Sequence, residues 1–440
     1  MSTPPHTEDQ IALIGAGPSG LAGARALQRL GIPFQGFEAH DELGGLWQPE
    51  HPRARVWASL RMVSSKQRTA FADLPMADDC PDYPRATDAL RYLQLYATHF
   101  DLRHHFRFGT LVLRVEPVSE KPDSLWRVTV DDGNGPCVAD YKGVVIANGI
   151  HAEPRVPRFP GRFDGELMHA AAYRDTARLA GKRVLIIGGG DSACDLAVDA
   201  VGVASTVTVS MRRGAHLWPR YIDGVPADVA SPWWQGLPRP LRLRAAQRLI
   251  RRAAGELQQH GFPAPQHALD EMPPLVNDDL PSMVGRGDIE IRGEAVRMDG
   301  DNVHFKNGRR GSYDLVIAAT GYKLHYPFLR AELLNWLGPA PRLYLNIFPP
   351  HYQRLAVLGM LDGQGLGWRD QQSQAELVAA YFQAQAQQPE CAAAFSALAR
   401  GPLPDLRGRL LTPRPARLAH AVDARLYRNA LQRARAMLAA

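Results

Sequence analysis

The chain has 440 residues, of which 22% are charged and 45% hydrophobic, and a formal net charge of +6. This composition is ordinary for a globular protein and excludes extensive disorder, and the length suits two or three domains. Much of the positive excess is arginine, including a run at 239–252 that we interpret as a solvated helix face. No aromatic residues alternate with that run, so nucleic-acid binding is not expected.

Signals for export and for a membrane span are absent from the sequence. Residues 1–10 are polar, and no stretch reaches the roughly 18–20 apolar residues that cross a bilayer. The cysteines include no Cys-x-x-Cys pair, which disfavours both a zinc site and a dithiol redox centre; they are Cys80, Cys137, Cys194 and Cys391. We therefore expect a cytoplasmic protein that holds no metal.

One pattern occurs twice along the chain: a continuously apolar strand, a glycine-rich turn and an alanine-rich helix. The first copy spans 10–30 and the second 182–200, with apolar strands at 11–14 and 184–187. Continuously apolar strands are typical of parallel sheets that are buried on both faces. The predicted fold class is therefore α/β with two Rossmann-like dinucleotide-binding domains.

The order of the remaining segments predicts how the two domains are connected. Short alternating strands at 110–115 and 125–130 predict a β-meander in the first domain. Apolar strands that end in glycine, at 144–149 and 314–321, predict that the second domain is inserted in the first. The predicted limits are 1–155 and 312–440 for the first domain and 156–311 for the second, which carries a helical excursion at about 215–282. A basic amphipathic helix at 416–440 is expected to pack on the first domain.

The first glycine-rich turn, Gly15-Ala-Gly-Pro-Ser-Gly20, follows a predicted strand and opens a predicted helix. Its first glycine permits a tight turn, the second lets the backbone approach a pyrophosphate, and the third lets helix and strand pack closely. Glu38 ends the next strand, where a carboxylate binds ribose hydroxyls and repels a 2′-phosphate. The pattern predicts a site for FAD or NAD, with contacts from Gly15, Gly17, Pro18, Ser19, Gly20 and Glu38.

The second turn, Gly188-Gly-Gly-Asp-Ser-Ala193, has alanine in place of the third glycine, which the pattern tolerates. The strand after it ends in Arg212 and Arg213 instead of an acid. Guanidinium groups match a 2′-phosphate in charge and geometry, so this site is predicted to take NADPH and to leave FAD for the first turn. The predicted contacts are Gly188, Gly190, Asp191, Ser192, Ala193, Arg212 and Arg213.

A third turn, Leu43-Gly-Gly-Leu-Trp47, comes shortly after Glu38. Glycines there let the backbone run close to an adenine or flavin ring, with Trp47 as an apolar wall. Its position beside the first site predicts that Gly45, Leu46 and Trp47 contact FAD, and a purely structural turn is the alternative.

The segment before the second turn carries a longer signature. Residues Phe163, Gly165, His169 and Tyr173 fit the pattern F-x-G-x-x-x-H-x-x-x-[YF]. In this place the pattern resembles the flavin-containing monooxygenases, which are class B flavoprotein monooxygenases, and its final tyrosine is unlike the tryptophan of their Baeyer–Villiger relatives. The resemblance extends over nearly the whole chain, with further similar stretches at 74–84, 96–100, 210–228, 276–281, 319–322 and 348–350.

The resemblance implies roles for residues between the two sites. His169 and Tyr173 belong to a hinge segment that aligns NADPH with the flavin, and Thr320 and Gly321 to a turn between the two cofactors. Where oxygenating members usually carry an asparagine near the flavin, this chain has Val63, followed by Ser64. Valine has no hydrogen-bonding group, so oxygenated flavin must be stabilised by Ser64, bound NADP or backbone donors. The catalytic positions implied in this way are Val63, Ser64, His169 and Tyr173.

By resemblance, the chain is expected to reduce FAD with NADPH, capture O2 as a C4a-peroxyflavin and oxygenate an amine, a sulfide or a carbonyl. Val63 motivates an alternative, an NADPH oxidase or electron-transfer reductase without oxygen transfer. A non-catalytic dinucleotide sensor is the remote alternative. The expected partners are a small-molecule substrate and O2, with no nucleic acid and no membrane span, while a homodimer stays open.

Overall fold

Two five-stranded parallel sheets organise the computed structural model, which describes residues 7–230, 232–255, 257–410 and 419–439. Each glycine-rich turn connects the central strand of one sheet to a helix, Pro18–Arg29 in the first sheet and Asp191–Ala200 in the second. The predicted α/β class with two Rossmann-like sheets is confirmed. No helix within the described ranges is long and apolar enough to cross a membrane.

The first sheet is buried on both faces. Its strands, in spatial order, are Leu355–Val357, Gly143–Ile146, Ile11–Ile14, Phe34–Phe37 and Phe106–Arg107. Leu13 packs toward a helical layer and Ile14 toward an antiparallel layer, which explains the continuously apolar strand. The helices are Pro18–Arg29, Ala86–His99, Trp368–Gln387, Pro389–Arg400 and Ala424–Ala439. The antiparallel strands are Leu111–Pro117, Trp126–Asp131 and Pro136–Tyr141, the predicted meander.

The helix Ala424–Ala439 packs its apolar stripe into the core of the first sheet, as predicted from its amphipathic pattern. The predicted helix began at residue 416, and residues 416–418 lie outside the described ranges. A four-residue helix, Lys66–Thr69, lies in the long connection between the third turn and Ala86–His99.

The second sheet repeats the same layering. Its strands, in spatial order, are Glu166–His169, Leu315–Ala318, Arg183–Ile187, Thr206–Ser210 and Ile289–Arg292. Helices Asp191–Ala200 and Asp279–Arg286 cover one face. The strands Gly161–Phe163, Ala295–Gly300, Asn302–Phe305 and Arg310–Ser312 cover the other. Because Leu315–Ala318 pairs inside this sheet, the chain leaves the second unit after Ala318, and the predicted boundary at 312 is too early.

The excursion between the last two strands of this sheet is less helical than predicted. It contains one long helix, Arg239–Ala254, in which Ala246 alone is buried. Most of its arginines are exposed as expected, but Arg239 and Arg242 are half-buried and pair with Asp270. The rest includes the strand pairs Leu217–Trp218 with Leu275–Val276 and Tyr221–Ile222 with Val225–Pro226. Prolines throughout the segment remove backbone donors and restrict φ, which explains the short elements.

Two extended segments connect the units where the carboxyl ends of both sheets meet. One leaves the first sheet after Ile146, and the other leaves the second sheet after Ala318. They run antiparallel, with Glu153–Pro154 paired to Tyr322–Lys323. Ligands of parallel α/β sheets bind at the carboxyl ends of the strands, so this double crossing is where a functional site is expected.

Candidate active site

The first glycine-rich turn has a backbone shape that requires glycine. Gly15 adopts φ +105°, and a Cβ there would lie 2.6 Å from the carbonyl oxygen of Ala147. A Cβ on Gly20 would overlap the carbonyl oxygen of Gly15. Gly17 caps the helix that begins at Pro18, so free N–H groups and the positive end of the helix face the turn. This cradle fits a pyrophosphate.

The third turn lies directly against the first. The N–H of Gly44 donates to the carbonyl of Ala16 over 3.0 Å, and a Cβ on Gly45 would lie 3.0 Å from the Cα of Gly17. Trp47 packs edge-on against Trp368 with ring centroids 5.7 Å apart. The carbonyl of Leu46 accepts from the N–H of Arg55 over 3.0 Å. The structure thus joins the two turns that the sequence placed together.

Glu38 is buried at the edge of this cradle, with 5% of its surface exposed. Its Oε2 accepts from the N–H of Ala16 over 2.7 Å and its Oε1 from the N–H of His40 over 3.0 Å. Burial raises the pKa of Glu38, but hydrogen bonds from His51, Ala16 and His40 outweigh it and the net pKa is lowered. The carboxylate is therefore ionised beside the turn, with lone pairs left for ribose hydroxyls.

The side chain of Ser19 is engaged inside the protein. Its side chain is buried, and its hydroxyl donates to Oε1 of Gln371 over 2.9 Å. A Cβ on Gly359 would overlap the same hydroxyl. The predicted contact of Ser19 with a dinucleotide stays a prediction, and the backbone N–H of Ser19 is the group that can make it.

The second turn is more open than the first. A Cβ on Gly188 would overlap the carbonyl oxygen of Ala319, whereas Gly190 has no atom within 4 Å of an added Cβ. Ser192 is exposed at the start of the helix. Ala193, in the third glycine position, is fully buried and its side chain packs in the core. Asp191 also turns inward, because its Oδ1 accepts from the N–H of Val276 over 2.8 Å.

Arg212 and Arg213 follow the strand Thr206–Ser210 and are both exposed. The Nη1 of Arg212 lies 3.9 Å from Oε1 of Glu294, a long and half-exposed ion pair. Such a pair contributes little, so an incoming phosphate can compete for the guanidinium.

His169 ends the first strand of the second sheet and has 8% of its surface exposed. Its Nδ1 accepts from the N–H of Ala171 over 3.0 Å, so the proton resides on Nε2, which meets no partner within the described ranges. Its ring lies edge-on to Tyr322 at 5.3 Å. Burial lowers the pKa of His169, and the backbone of Gly321 opposes part of that shift, so the ring is neutral at neutral pH.

Tyr173 does not face this crossing. Its side chain is 1% exposed and packs edge-on against Trp57 at 6.0 Å. Its hydroxyl donates to Oδ2 of Asp199. Tyr173 therefore holds the hinge segment to helix Asp191–Ala200 from inside the core, and the catalytic role that the resemblance implies for it stays a prediction.

Thr320 and Gly321, which the resemblance places between the two cofactors, lie in the double crossing. The hydroxyl of Thr320 donates to the carbonyl of Arg155, whose N–H donates to the carbonyl of Gly321 over 2.9 Å. Arg55 fastens the same crossing by donating to the carbonyls of His151 and Ala152 over 3.0 and 2.8 Å. No sequence motif marks Arg55, and only the tertiary contacts identify it.

Val63 and Ser64 lie in a loop before the short helix Lys66–Thr69. The Val63 side chain is 43% exposed. The Ser64 hydroxyl shares a hydrogen bond of 2.9 Å with the hydroxyl of Thr69. Ser64 therefore keeps only part of its hydrogen-bonding capacity for a ligand.

Two features of these residues fit two bound dinucleotides. Both turns present a helix N-terminus behind a glycine-rich backbone. Buried polar atoms without a partner in the described residues also lie along the crossing: Asn148 Oδ1, Arg155 Nε and His169 Nε2. Buried polar groups are rarely left unpaired in a complete site, so the residues fit FAD and NADPH.

Comparisons with known proteins agree with this geometry. A family model described as flavin-binding monooxygenase-like matches residues 8–398. Flavin-containing monooxygenase 5 of Oryctolagus cuniculus is 32% identical over 376 residues, which cover 81% of this chain and 70% of the relative. Dimethylaniline monooxygenase [N-oxide-forming] 2 of the same species is 30% identical, with 81% and 70% covered. An open crystal structure of cyclohexanone monooxygenase superposes with a TM-score of 0.71 at 19% identity, covering 98% of this chain and 96% of that one.

The family match spans both glycine-rich turns and the crossing between them. The chain therefore belongs to the flavin-binding monooxygenase-like family and is an FAD- and NADPH-dependent monooxygenase.

Proposed function

We propose that FAD binds at the first glycine-rich turn and NADPH at the second, with the two reactive rings meeting at the double crossing. The FAD unit comprises 1–155 and the chain after 318, and the NADPH unit comprises 156–318. The observation that carries this proposal is that both cradles lie at carboxyl strand ends facing one crossing, lined by unpaired polar atoms. The ionised Glu38 at one turn and the exposed Arg212 at the other support the order of the cofactors.

The chain's own residues bind, orient and exclude water. FAD, when bound, accepts a hydride from NADPH and activates O2. The N-termini of helices Pro18–Arg29 and Asp191–Ala200 hold the pyrophosphates. His169 offers a neutral Nε2–H donor at the crossing, and the hydrogen bonds between Thr320, Arg155 and Gly321 hold the two extended segments of the crossing together.

The substrate is a small soft nucleophile, an amine or a sulfide, or a carbonyl compound. One atom of O2 joins the substrate, the other leaves as water, and NADPH supplies the two electrons. Tyr173 in place of tryptophan at the end of the hinge pattern favours the amine and sulfide branch. A relative named for dimethylaniline N-oxide formation, at 30% identity, supports the same class.

A second candidate, an NADPH oxidase, is favoured by the apolar and exposed side chain of Val63. The two are separated by measuring NADPH, O2, peroxide and product with dimethylaniline, methyl phenyl sulfide and cyclohexanone. The monooxygenase gives product in proportion to NADPH with at least one acceptor. Peroxide equal to the NADPH consumed with every acceptor contradicts the proposal.

A further inference from the structure

A hairpin in the excursion spans the two units. We define the bridging hairpin as residues 220–228, in which Tyr221–Ile222 pairs with Val225–Pro226. Asp223, at φ +51°, and Gly224 form its turn. Arg220 and Asp228 lie at its two ends and carry the contacts that follow.

One side of the bridging hairpin binds the loop that contains Val63 and Ser64. The Nη1 of Arg220 donates to the carbonyl of Met62 over 3.1 Å. The N–H of Ser65 donates to Oδ2 of Asp228 over 2.7 Å. Val63 and Ser64 thus lie between two anchored backbone groups, one on each side.

Arg68 and Tyr83 also hold the two ends of the hairpin. Nε of Arg68 donates to the carbonyl of Asp228 over 3.1 Å. The hydroxyl of Tyr83 donates to the carbonyl of Arg220 and accepts from the N–H of Ala227 over 3.3 Å. The guanidinium of Arg220 also lies 5.2 Å from the centre of the Tyr83 ring.

The anchored loop has free backbone donors. The N–H groups of Met62 and Ser65 have protein acceptors, whereas those of Val63 and Ser64 have none among the described residues. Adjacent free N–H groups, held in place from both sides, can bind a negatively charged oxygen. They lie at the position where the valine side chain offers no donor.

The other side of Arg220 reaches the second unit. Its Nη2 lies 3.9 Å from Oδ1 of Asp195, which also accepts from Nδ2 of Asn277 over 2.9 Å. Asp195 belongs to helix Asp191–Ala200, whose N-terminus faces the second glycine-rich turn. One side chain therefore links that helix to the backbone of Met62.

We propose that Arg220 and Asp228 are positioning residues that hold the N–H groups of Val63 and Ser64 as donors for a negatively charged oxygen; that the flavin carries this oxygen rests on the proposed function and on the resemblance that puts Val63 beside it. We infer in addition that Arg220 transmits dinucleotide binding at the second turn to this loop through Asp195. This coupling rests on the proposed placement of NADPH at the second turn. The positioning itself does not depend on that placement.

Hydrogen–deuterium exchange of the FAD-loaded protein tests the positioning directly. Asp228→Ala removes the acceptor of the Ser65 N–H and is expected to speed its exchange by about tenfold or more. Asp228→Asn keeps an acceptor oxygen and is expected to restore slow exchange. Arg248→Met, on the exposed face of helix Arg239–Ala254, is the matched control and leaves the loop unchanged. Wild-type exchange at Ser65 in Asp228→Ala overturns the positioning.

The coupling is tested by adding NADP+ to the same samples. In the wild type, NADP+ is expected to slow exchange across 62–65 by about threefold or more. In Arg220→Met this response is lost, while the Kd for NADP+, measured by flavin absorbance, changes less than about threefold because Arg220 does not line the second turn. Arg220→Lys, which keeps the charge, restores part of the response.

A full NADP+ response in Arg220→Met overturns the coupling. If NADP+ fails to bind the wild type, the proposed function fails instead, and the Asp228 variants still decide the positioning.

Discussion

The two glycine-rich turns share one architecture but differ in how much of each site the protein already fills. At the first turn a Cβ on Gly20 would overlap the turn itself, and Glu38 is held by two backbone N–H groups. At the second turn Gly190 faces open space, and Arg212 makes only a long, half-exposed pair. We therefore expect the first site to retain its dinucleotide and the second to exchange it.

The buried carboxylates of the two units also differ, because their pKa values are shifted in opposite directions. At Glu38, hydrogen bonds outweigh burial and the pKa is lowered. At Asp195, burial and the nearby charge of Asp191 outweigh Arg220 and Asn277, and the pKa is raised to about 7. Hydrogen bonding therefore stabilises the ionised acid of the first unit, while the acid of the second retains an uncompensated cost.

The largest expected effect distinguishes the two turns sterically. Gly20→Ala places a methyl group on the carbonyl oxygen of Gly15 and is expected to abolish FAD retention. Gly190→Ala meets no protein atom, so it should fold and retain FAD while raising the KM for NADPH. The ratio of flavin to protein after purification checks the first expectation, and steady-state kinetics the second. Equal flavin loss in both variants contradicts the comparison.

Removing the two arginines tests the exchangeable site. Arg212→Ala combined with Arg213→Ala removes the charges that match a 2′-phosphate and should raise the KM for NADPH by about 10- to 100-fold. The KM for NADH should change little, because NADH lacks that phosphate. An equal rise for both nucleotides would assign these arginines a structural role.

The ionisation of Asp195 makes the stability of the protein depend on pH. Its pKa is raised to about 7, so its contribution to stability is full below about pH 4 and is lost as the pH rises through 7. The groups facing it are Asp191, Asp199, Arg220 and Asn277. Asp195→Asn should therefore stabilise the FAD-loaded protein at pH 8 by on the order of 2 kcal/mol and change little at pH 4.

Thermal unfolding of wild type and Asp195→Asn across this pH range measures the difference. Lower stability of the variant at pH 8 would show that attraction to Arg220 exceeds the cost of burial, against the direction of the shift. Asp199→Ala, which removes the acceptor of the Tyr173 hydroxyl instead, serves as a comparison on the same helix.

The smallest expected effect concerns Val63. Val63→Asn adds an amide next to free backbone donors, so it should reduce peroxide release per NADPH by a few-fold. Peroxide detection during NADPH turnover checks this, with Val138→Asn on the exposed meander strand as a control. No change would mean that Val63 does not lie where the resemblance puts the asparagine.

The strands and turns of both sites were predictable because local patterns specify them. Apolar strands at 11–14 and 184–187 and the glycine spacings require neighbours that are close in sequence. The predicted domain boundary at 312 was too early because it, too, was based on a local pattern. The strand Leu315–Ala318 carries the same pattern as Gly143–Ile146, and the pattern alone does not say which sheet a strand joins.

Side-chain roles that depend on distant residues were not predictable. Ser19 is committed to Gln371, 352 positions away, and Ser65 donates to Asp228, 163 positions away. Tyr173 fitted a motif, yet its hydroxyl is used by Asp199 inside the core. Local spacing indicates where the backbone forms a cradle, but tertiary packing decides which side chains remain free for a ligand.

The central claim is that this chain transfers one oxygen atom from O2 to a substrate at the expense of NADPH. Turnover under oxygen-18 gas, with methyl phenyl sulfide and dimethylaniline as acceptors, tests it most directly by mass spectrometry of the products. We expect one labelled oxygen atom in the sulfoxide or N-oxide for each NADPH consumed. Label found entirely in hydrogen peroxide with both acceptors would contradict it.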